Sequence, residues 1–209
     1  MSGLFPYLPV FVDLAGRAAV LLSGEAGLAP IARRLLDAGA GVTAISREMS
    51  PAMTELAPSI RLLRRGWRAA DLAGAALVVA GAAERRHARA RLAAKAAGAI
   101  FAMPGAADRS DVIFGAAAAW GPVAIGVTAS GLAPGFGEAM ARRLEAAVPA
   151  SYAGFLAAAE RFREVANRAI ADADARDAFW RAAASDAFEA HLDDRDGGWD
   201  RWLEERLRP

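Results

Sequence analysis

Apolar residues in the first half of the chain form short continuous runs, and segments with helical spacing separate these runs. Five runs have the length of buried strands, at residues 18–22, 41–46, 60–63, 75–80 and 99–103. Apolar residues recur at helical spacing from Leu28 to Leu36, and a second helix is indicated at 84–95. Because strands that are apolar throughout need cover on both faces, the pattern predicts an α/β fold with a parallel sheet.

The second half of the chain has a different pattern. A strand or short buried segment at 113–119 precedes a clear strand at 123–128, and the chain from 151 onward is predicted to be helical. Between them, a loop of small residues opens a helix at about 136–147. Such a loop exposes backbone N–H groups at a helix start, where they suit anionic groups. The residues of this loop that we predict to bind substrate are Ser130, Gly131 and Pro134.

The turn after the first strand is the strongest candidate for a ligand site. It has two glycines but lacks the full G-x-G-x-x-G spacing with which a strand–turn–helix unit holds a dinucleotide. We predict cofactor binding by Ser23, Gly24, Ala26 and Gly27. Glu25 places a side chain and a negative charge where a bare backbone would face the pyrophosphate, so NAD should bind weakly or not at all. The alternative is a turn that only connects two elements.

The end of the second strand carries Ser46, Arg47 and Glu48. At this position an acidic residue reads a free ribose 2′-hydroxyl, whereas an arginine accommodates a 2′-phosphate. Arg47 and Glu48 are therefore further candidates for cofactor binding, and they leave NAD and NADP both open. Arg47 could equally be a solvated surface charge.

A cluster of arginines lies in the second predicted helix. It could hold an anionic ligand, although a solvated helix face is the simpler interpretation. Its members are Arg85, Arg86, Arg89 and Arg91.

Composition narrows the possible partners. The 209 residues carry 25 basic and 24 acidic side chains, and this balance gives no overall field that would recruit nucleic acid or an anionic membrane. The absence of Cys excludes disulfides and thiolate ligands, and with only two His there is no preformed His/Cys metal cage, so we predict no metal site. The N-terminus has neither a basic leader nor a spanning segment. We therefore expect a cytoplasmic protein.

Several segments in series resemble the precorrin-2 dehydrogenase and sirohydrochlorin ferrochelatase module of siroheme synthases. They include LPVFVDLAGRAAVLLSG, GPVAIGVTASGLAPGFGEAMARRLEAAVP and RDAFW, and the resemblance runs over nearly the whole chain. It implies a Rossmann-like NAD-binding domain at 1–112, a central αβ dimerisation segment at 113–150 and a helical domain at 151–209. It also implies a homodimer and a tetrapyrrole ligand. The implied activity is NAD-dependent oxidation of precorrin-2 to sirohydrochlorin, with insertion of ferrous iron in many members.

The sequence departs from this family at functional positions. Ser23 and Glu25 stand where the family usually has glycines, and Ala106 falls at the position of its catalytic aspartate. Asp108 and Asp111 are nearby and are the candidate catalytic carboxylates. Two hypotheses follow. The chain is a divergent dehydrogenase, with or without chelatase activity, or a catalytically degenerate paralogue that binds a tetrapyrrole as carrier, scaffold, regulator or NAD-independent chelatase.

Overall fold

The structure is a computed structural model that describes residues 7–82, 84, 86–120, 123–129, 133, 135–148, 151–190 and 198–207. The chain divides into two compact units. The first is Met1–Gly115 with Thr128–Pro134, and the second is Ala116–Val127 with Gly135–Pro209.

The first unit contains a five-stranded sheet. Its strands are β1 (Ala18–Leu21), β2 (Gly41–Ile45), β3 (Arg61–Leu63), β4 (Ala75–Val79) and β5 (Ile100–Ala102). Their order across the sheet is β3-β2-β1-β4-β5, and every pairing is parallel. The predicted α/β fold with a parallel sheet is confirmed, and each predicted strand of this unit is found within one or two residues of its expected ends.

Helices connect these strands and cover the sheet. They are α1 (Ala29–Asp37), α2 (Pro51–Thr54) and α3 (His87–Ala96). Helix α3 begins three residues later than the predicted Glu84. The reason is a turn in which the Glu84 N–H donates to the Gly81 carbonyl at 3.1 Å, so the chain becomes helical only after Arg86.

Side chains that alternate along the central strands build a core on each face of the sheet. On one face Leu21 and Val79 pack with Leu35 of α1, and on the other face Val78 packs with Ala94 of α3. This alternation follows from the two-residue period of a strand. Full burial of each large apolar side chain is worth about 1.5–3 kcal/mol, so these two layers fix the sheet and its C-terminal edge.

The second unit pairs a two-stranded antiparallel ribbon with helices. The strands are β6 (Ala116–Trp120) and β7 (Val123–Val127), and α4 (Phe136–Ala147) packs against both. The remaining helices are α5 (Ser151–Ala169), α6 (Ala173–Ala190) and α7 (Gly198–Leu207), as the prediction of a helical C-terminal part requires. No helix in the described ranges is both long and apolar enough to cross a membrane.

An aromatic cluster holds the C-terminal helices together. Phe155 of α5 meets Trp199 of α7 edge-on, with ring centroids 5.0 Å apart, and Trp199 meets Trp202 in the same way at 5.6 Å. Such pairs add about 0.5–1.5 kcal/mol to the burial of the rings themselves. Phe155 and Trp199 are both buried and belong to the core of this unit.

Candidate functional site

A cavity of about 200 Å³ opens at the C-terminal ends of β1 and β2. In open α/β sheets ligands bind at this edge, where neighbouring connections leave in opposite directions. Here the chain leaves β1 toward β2, while β4 lies on the other side of β1. The lining residues come from the ends of β1 and β2 and from the segments after β3 and β4: Leu22, Ser23, Ile45, Ser46, Arg47, Arg65, Gly66, Trp67, Glu84 and Arg86.

Gly24 allows the turn after β1 to lie directly against the segment after β2. A Cβ at position 24 would overlap the backbone oxygen of Glu48 and would lie 2.9 Å from the Cα of Met49. The contact is reinforced by the Ser50 N–H, which donates to the Gly24 carbonyl at 2.8 Å. Gly24 is therefore required for packing, a steric reason that the sequence pattern did not indicate.

Glu25 reaches across the edge of the sheet to the segment after β4. Its Oε1 accepts a hydrogen bond from the Ala82 N–H at 2.9 Å. A Cβ at Gly81 would lie 2.6 Å from the same oxygen, so the missing side chain of Gly81 makes room for the carboxylate. A negative charge thus lies at the edge of the sheet where the phosphates of a dinucleotide approach in this class of fold.

The other predicted residues of the turn, Ser23, Ala26 and Gly27, make only local contacts. Ser23 is buried, with 5% of its surface exposed, and its Oγ accepts a hydrogen bond from the Glu25 N–H at 3.2 Å. Ala26 and Gly27 form a short 3-10 turn that leads into α1. A Cβ at Gly27 would meet no atom within 4 Å, so packing does not require glycine there.

Of the two candidates at the end of β2, only Arg47 lines the cavity, while Glu48 is exposed and contributes its backbone to the contact with Gly24. Arg47 forms neither an ion pair nor a hydrogen bond with any residue that the structure describes. Its guanidinium is therefore available to a ligand.

Arg65 is fixed at the cavity by a bidentate ion pair with Asp71. Both Nη···Oδ distances are 2.7 Å. The hydrogen bonds from Arg65 and from the Arg68 N–H lower the pKa of Asp71 from 3.8 to about 2, although burial opposes this shift. Asp71 is therefore ionised at neutral pH, and Arg65 keeps one orientation.

Trp67, Glu84 and Arg86 form the remaining wall. Glu84 is nearly buried, and its Oε2 accepts from Trp67 Nε1 at 2.7 Å while its Oε1 accepts from the Arg86 N–H at 2.7 Å. The Arg86 guanidinium lies 4.9 Å from the centre of a Trp67 ring, a cation–π distance. Arg86 is exposed, as the interpretation of a solvated helix face predicts, and its side chain also lines the cavity.

The two candidate catalytic carboxylates have different surroundings. The Asp111 side chain accepts from Arg91 Nη2 at 2.8 Å and from the Phe101 N–H at 3.1 Å, so it ties the loop to β5. Asp108 is exposed and lies 3.6 Å from Arg109 Nε. Ser110 donates to the Ala106 carbonyl at 2.8 Å, which holds the loop closed at the position of the family's aspartate.

A second cavity, of about 240 Å³, adjoins the loop that carries Asp108. Its walls include Pro104, Gly105, Ala107 and Thr128. The predicted substrate residues Ser130, Gly131 and Pro134 lie outside the described residues. Among the side chains that are described, no three His, Asp or Glu residues gather closely enough to hold a metal ion.

Comparison with known proteins agrees with this architecture. Residues 10–116 match a family model described as putative NAD(P)-binding. The siroheme synthase of Ectopseudomonas mendocina (strain ymp) is 30% identical over 207 residues, which are 96% of this chain and 44% of that protein. Siroheme synthase 2 of Aeromonas salmonicida (strain A449) is 31% identical over 207 residues, which are 96% of this chain and 42% of that protein. The chain thus spans less than half the length of the curated relatives it matches.

A solved structure has the same fold. SirC, a precorrin-2 dehydrogenase, superposes with a TM-score of 0.63 and 16% sequence identity, over 96% of this chain and 98% of its own. The resemblance to the siroheme synthase module is confirmed by the relatives, and the fold class is confirmed by this structure.

The contact at Gly24 generates the first prediction. We expect Gly24→Ala to lower the free energy of unfolding by about 1–3 kcal/mol or more, because the methyl group must displace backbone atoms rather than a flexible side chain. Urea denaturation followed by circular dichroism measures the change. Gly27→Ala is the matched control and should be neutral or slightly stabilising, because its Cβ faces open space. Equal stability of the two variants would contradict the steric role of Gly24.

Proposed function

Because the chain belongs to the putative NAD(P)-binding family that its residues 10–116 match, we propose that it acts in siroheme biosynthesis as an NAD(P)-dependent precorrin-2 dehydrogenase. The observation that carries this proposal is similarity to siroheme synthases along 96% of the chain. The cavity at the ends of β1 and β2 lies where this class of fold binds a nucleotide. Insertion of ferrous iron is a further proposed activity.

The residues at the edge of the sheet fit one end of a dinucleotide better than the other. Ser46 and Arg47 would hold the adenosine end. At the pyrophosphate end the Glu25 carboxylate occupies the approach to the turn and has to move aside. When bound, NAD(P) would supply the hydride acceptor for the oxidation.

The oxidation also requires a base for the accompanying proton. We assign this role to Asp108, because its side chain is exposed beside the cavity that Pro104, Gly105 and Ala107 line. Asp111 is a weaker candidate, since its two oxygens accept hydrogen bonds from Arg91 and Phe101. The exposed loop around Asp108 leaves a path by which the proton can pass to water.

The assignment of the base predicts different results for the two aspartates. Asp108→Asn keeps the size of the side chain but removes the base, so turnover of precorrin-2 should fall by about two to four orders of magnitude. Asp111→Asn is the matched control. It should retain turnover and lose some thermal stability, because it breaks the ion pair with Arg91. Absorbance at the wavelengths of sirohydrochlorin follows the reaction. Full turnover by Asp108→Asn would remove Asp108 from the mechanism.

A second function is favoured by three observations at the site. Glu25 lies at the pyrophosphate approach, Ala106 replaces the family's aspartate, and Asp111 is held in structural hydrogen bonds. A tetrapyrrole-binding paralogue without dehydrogenase activity would show all three. Titration with sirohydrochlorin, combined with an assay of precorrin-2 oxidation, separates the hypotheses. Binding without nucleotide-dependent turnover supports the paralogue.

Glu25 should weaken the binding of any dinucleotide. Glu25→Gln keeps the shape of the side chain and its hydrogen bond from Ala82 but removes the charge. We expect NAD and NADP to bind about 5- to 150-fold more tightly, which corresponds to about 1–3 kcal/mol for the removal of a negative charge near an anion. Isothermal titration calorimetry measures both ligands. Glu55→Gln, a change at an exposed carboxylate on the same unit, is the control. Low-micromolar NAD affinity in the unaltered protein would contradict this prediction.

We propose that the protein is a homodimer and that the β6–β7 ribbon forms the contact. Helix α4 packs against this ribbon, and the alternate positions that stay exposed are all small: Ala117, Ala119, Ala124 and Gly126. A flat surface without polar side chains suits close contact with a second copy. The resemblance to the siroheme synthase module implies dimerisation through the same segment.

The proposed dimer contact can be tested by introducing charged side chains on the exposed face of the ribbon. Ala119 and Ala124 are directly opposite in the register of β6 and β7, so the double change to Glu places two like charges on the exposed face. Light scattering should change from the mass of a dimer to the 21.8 kDa of one chain. Ala57→Glu, at an exposed position of the other unit, should leave the dimer intact. A 21.8 kDa species for the unaltered protein at micromolar concentration would remove the proposal.

A further inference from the structure

We infer that the cavity at the ends of β1 and β2 binds the 2′-phosphate of NADP(H), which is a phosphate monoester. The protein therefore prefers NADP to NAD. The inference rests on the proposed function, because it specifies which nicotinamide dinucleotide the proposed site takes. It depends on four features of the cavity: its available donors, its engaged carboxylates, its charge balance and its size.

The available donors are cationic or neutral groups that converge from two strands. Arg47 has no ion-pair partner in the described part of the chain, and the Ser46 hydroxyl makes no hydrogen bond there. Arg65 adds a guanidinium that Asp71 has already oriented. Of its five N–H donors, three are used by Asp71 and by the Gly66 carbonyl, which leaves two for a ligand.

The carboxylates of the cavity are already occupied. A site that reads the free 2′-hydroxyl of NAD needs a carboxylate that can accept from that hydroxyl. Asp71 accepts from Arg65 and from the Arg68 N–H, and Glu84 accepts from Trp67 and from the Arg86 N–H. Asp71 therefore lies behind Arg65 and outside the lining, both oxygens of Glu84 already accept a hydrogen bond within the protein, and the exposed Glu48 is not part of the lining.

The charge balance of the lining also favours an anion. The cationic side chains of Arg47, Arg65 and Arg86 outnumber the carboxylates of Glu84 and, behind Arg65, Asp71. The unbalanced charge belongs to Arg47. A phosphate placed beside it forms charge-assisted hydrogen bonds, whereas a hydroxyl would leave the guanidinium without a counter-charge.

The size of the cavity is consistent with one end of a dinucleotide. Its volume of about 200 Å³ is below the roughly 300–1,000 Å³ of sites that enclose a drug-sized ligand. Gly66 lines this space, and a Cβ there would make an ordinary contact with Arg47 Nε at 4.0 Å. The cavity therefore holds a ribose phosphate, while the rest of the dinucleotide extends along the edge of the sheet.

Calorimetric titration of the intact protein tests the inference with five probes: NADP, NAD, 2′,5′-ADP, 5′-ADP and inorganic phosphate. We expect NADP to bind about ten-fold or more tightly than NAD, and 2′,5′-ADP to exceed 5′-ADP by a similar factor. Arg47→Gln should bring the NADP/NAD ratio close to one, because it lowers NADP affinity far more than NAD affinity. Arg64→Gln, which removes an equal charge from an exposed neighbour outside the lining, should retain the preference.

Each other result overturns the inference. Equal affinities for NADP and NAD, no binding of 2′,5′-ADP, or a preference that survives Arg47→Gln would each exclude a 2′-phosphate site. Inorganic phosphate that binds as tightly as 2′,5′-ADP would point to a free anion instead. If 2′,5′-ADP is preferred but neither dinucleotide supports oxidation of precorrin-2, the inference stands and the proposed function fails. If NAD and NADP support the oxidation of precorrin-2 equally, the proposed function stands and the inference fails.

Discussion

The close approach of two backbone segments, the turn at Gly24 and the chain at Glu48 to Ser50, is the constraint on which the site depends. There is no room for a Cβ between them, and the Ser50 N–H closes the contact onto the Gly24 carbonyl. Because both segments are fixed at once, the ends of β1 and β2 present Ser23, Ser46 and Arg47 to one cavity. The same fixed turn directs Glu25 to the other side, toward the segment after β4. One steric contact thus positions both the cavity and the Glu25 carboxylate.

Carboxylates in the first unit act mainly as structural acceptors. Among the described residues, five of them each accept a hydrogen bond from a backbone N–H, and their partners are Ala15 for Asp13, Ala82 for Glu25, Arg68 for Asp71, Arg86 for Glu84 and Phe101 for Asp111. Bonds to a charged acceptor are worth about 1.5–3 kcal/mol each, so these side chains stabilise the loops at the edges of the sheet. The roles proposed for Arg47 in nucleotide binding and for Asp108 as the base therefore fall on groups that are not engaged in this way.

The fold was predictable from the sequence, whereas the walls of the cavity were not. Apolar runs gave the strands because burial on both faces excludes polar residues from them, and the helix at 136–147 follows from the same periodicity. Arg65, Trp67 and Glu84 carry no local pattern, since they meet only because β3 lies at one side of β2 and β4 lies beside β1. Gly24 was predicted to bind a cofactor, and its role in packing was not visible because its neighbour after β2 is distant in sequence.

Glu25 and Arg47 bear on different properties of the proposed site. Glu25 bears on how tightly any dinucleotide binds, and Arg47 bears on the preference between NAD and NADP. In the proposed site Glu25 lies at the approach to the turn, where every dinucleotide carries the same pyrophosphate, so its charge would penalise NAD and NADP equally. Arg47 would lie at the ribose end, where the two cofactors differ by a phosphate, so its main effect would be on their ratio. Weak binding of both would therefore be compatible with strong discrimination between them. A low affinity for both cofactors would then result from the turn after β1, and a preference for one of them would result from the end of β2.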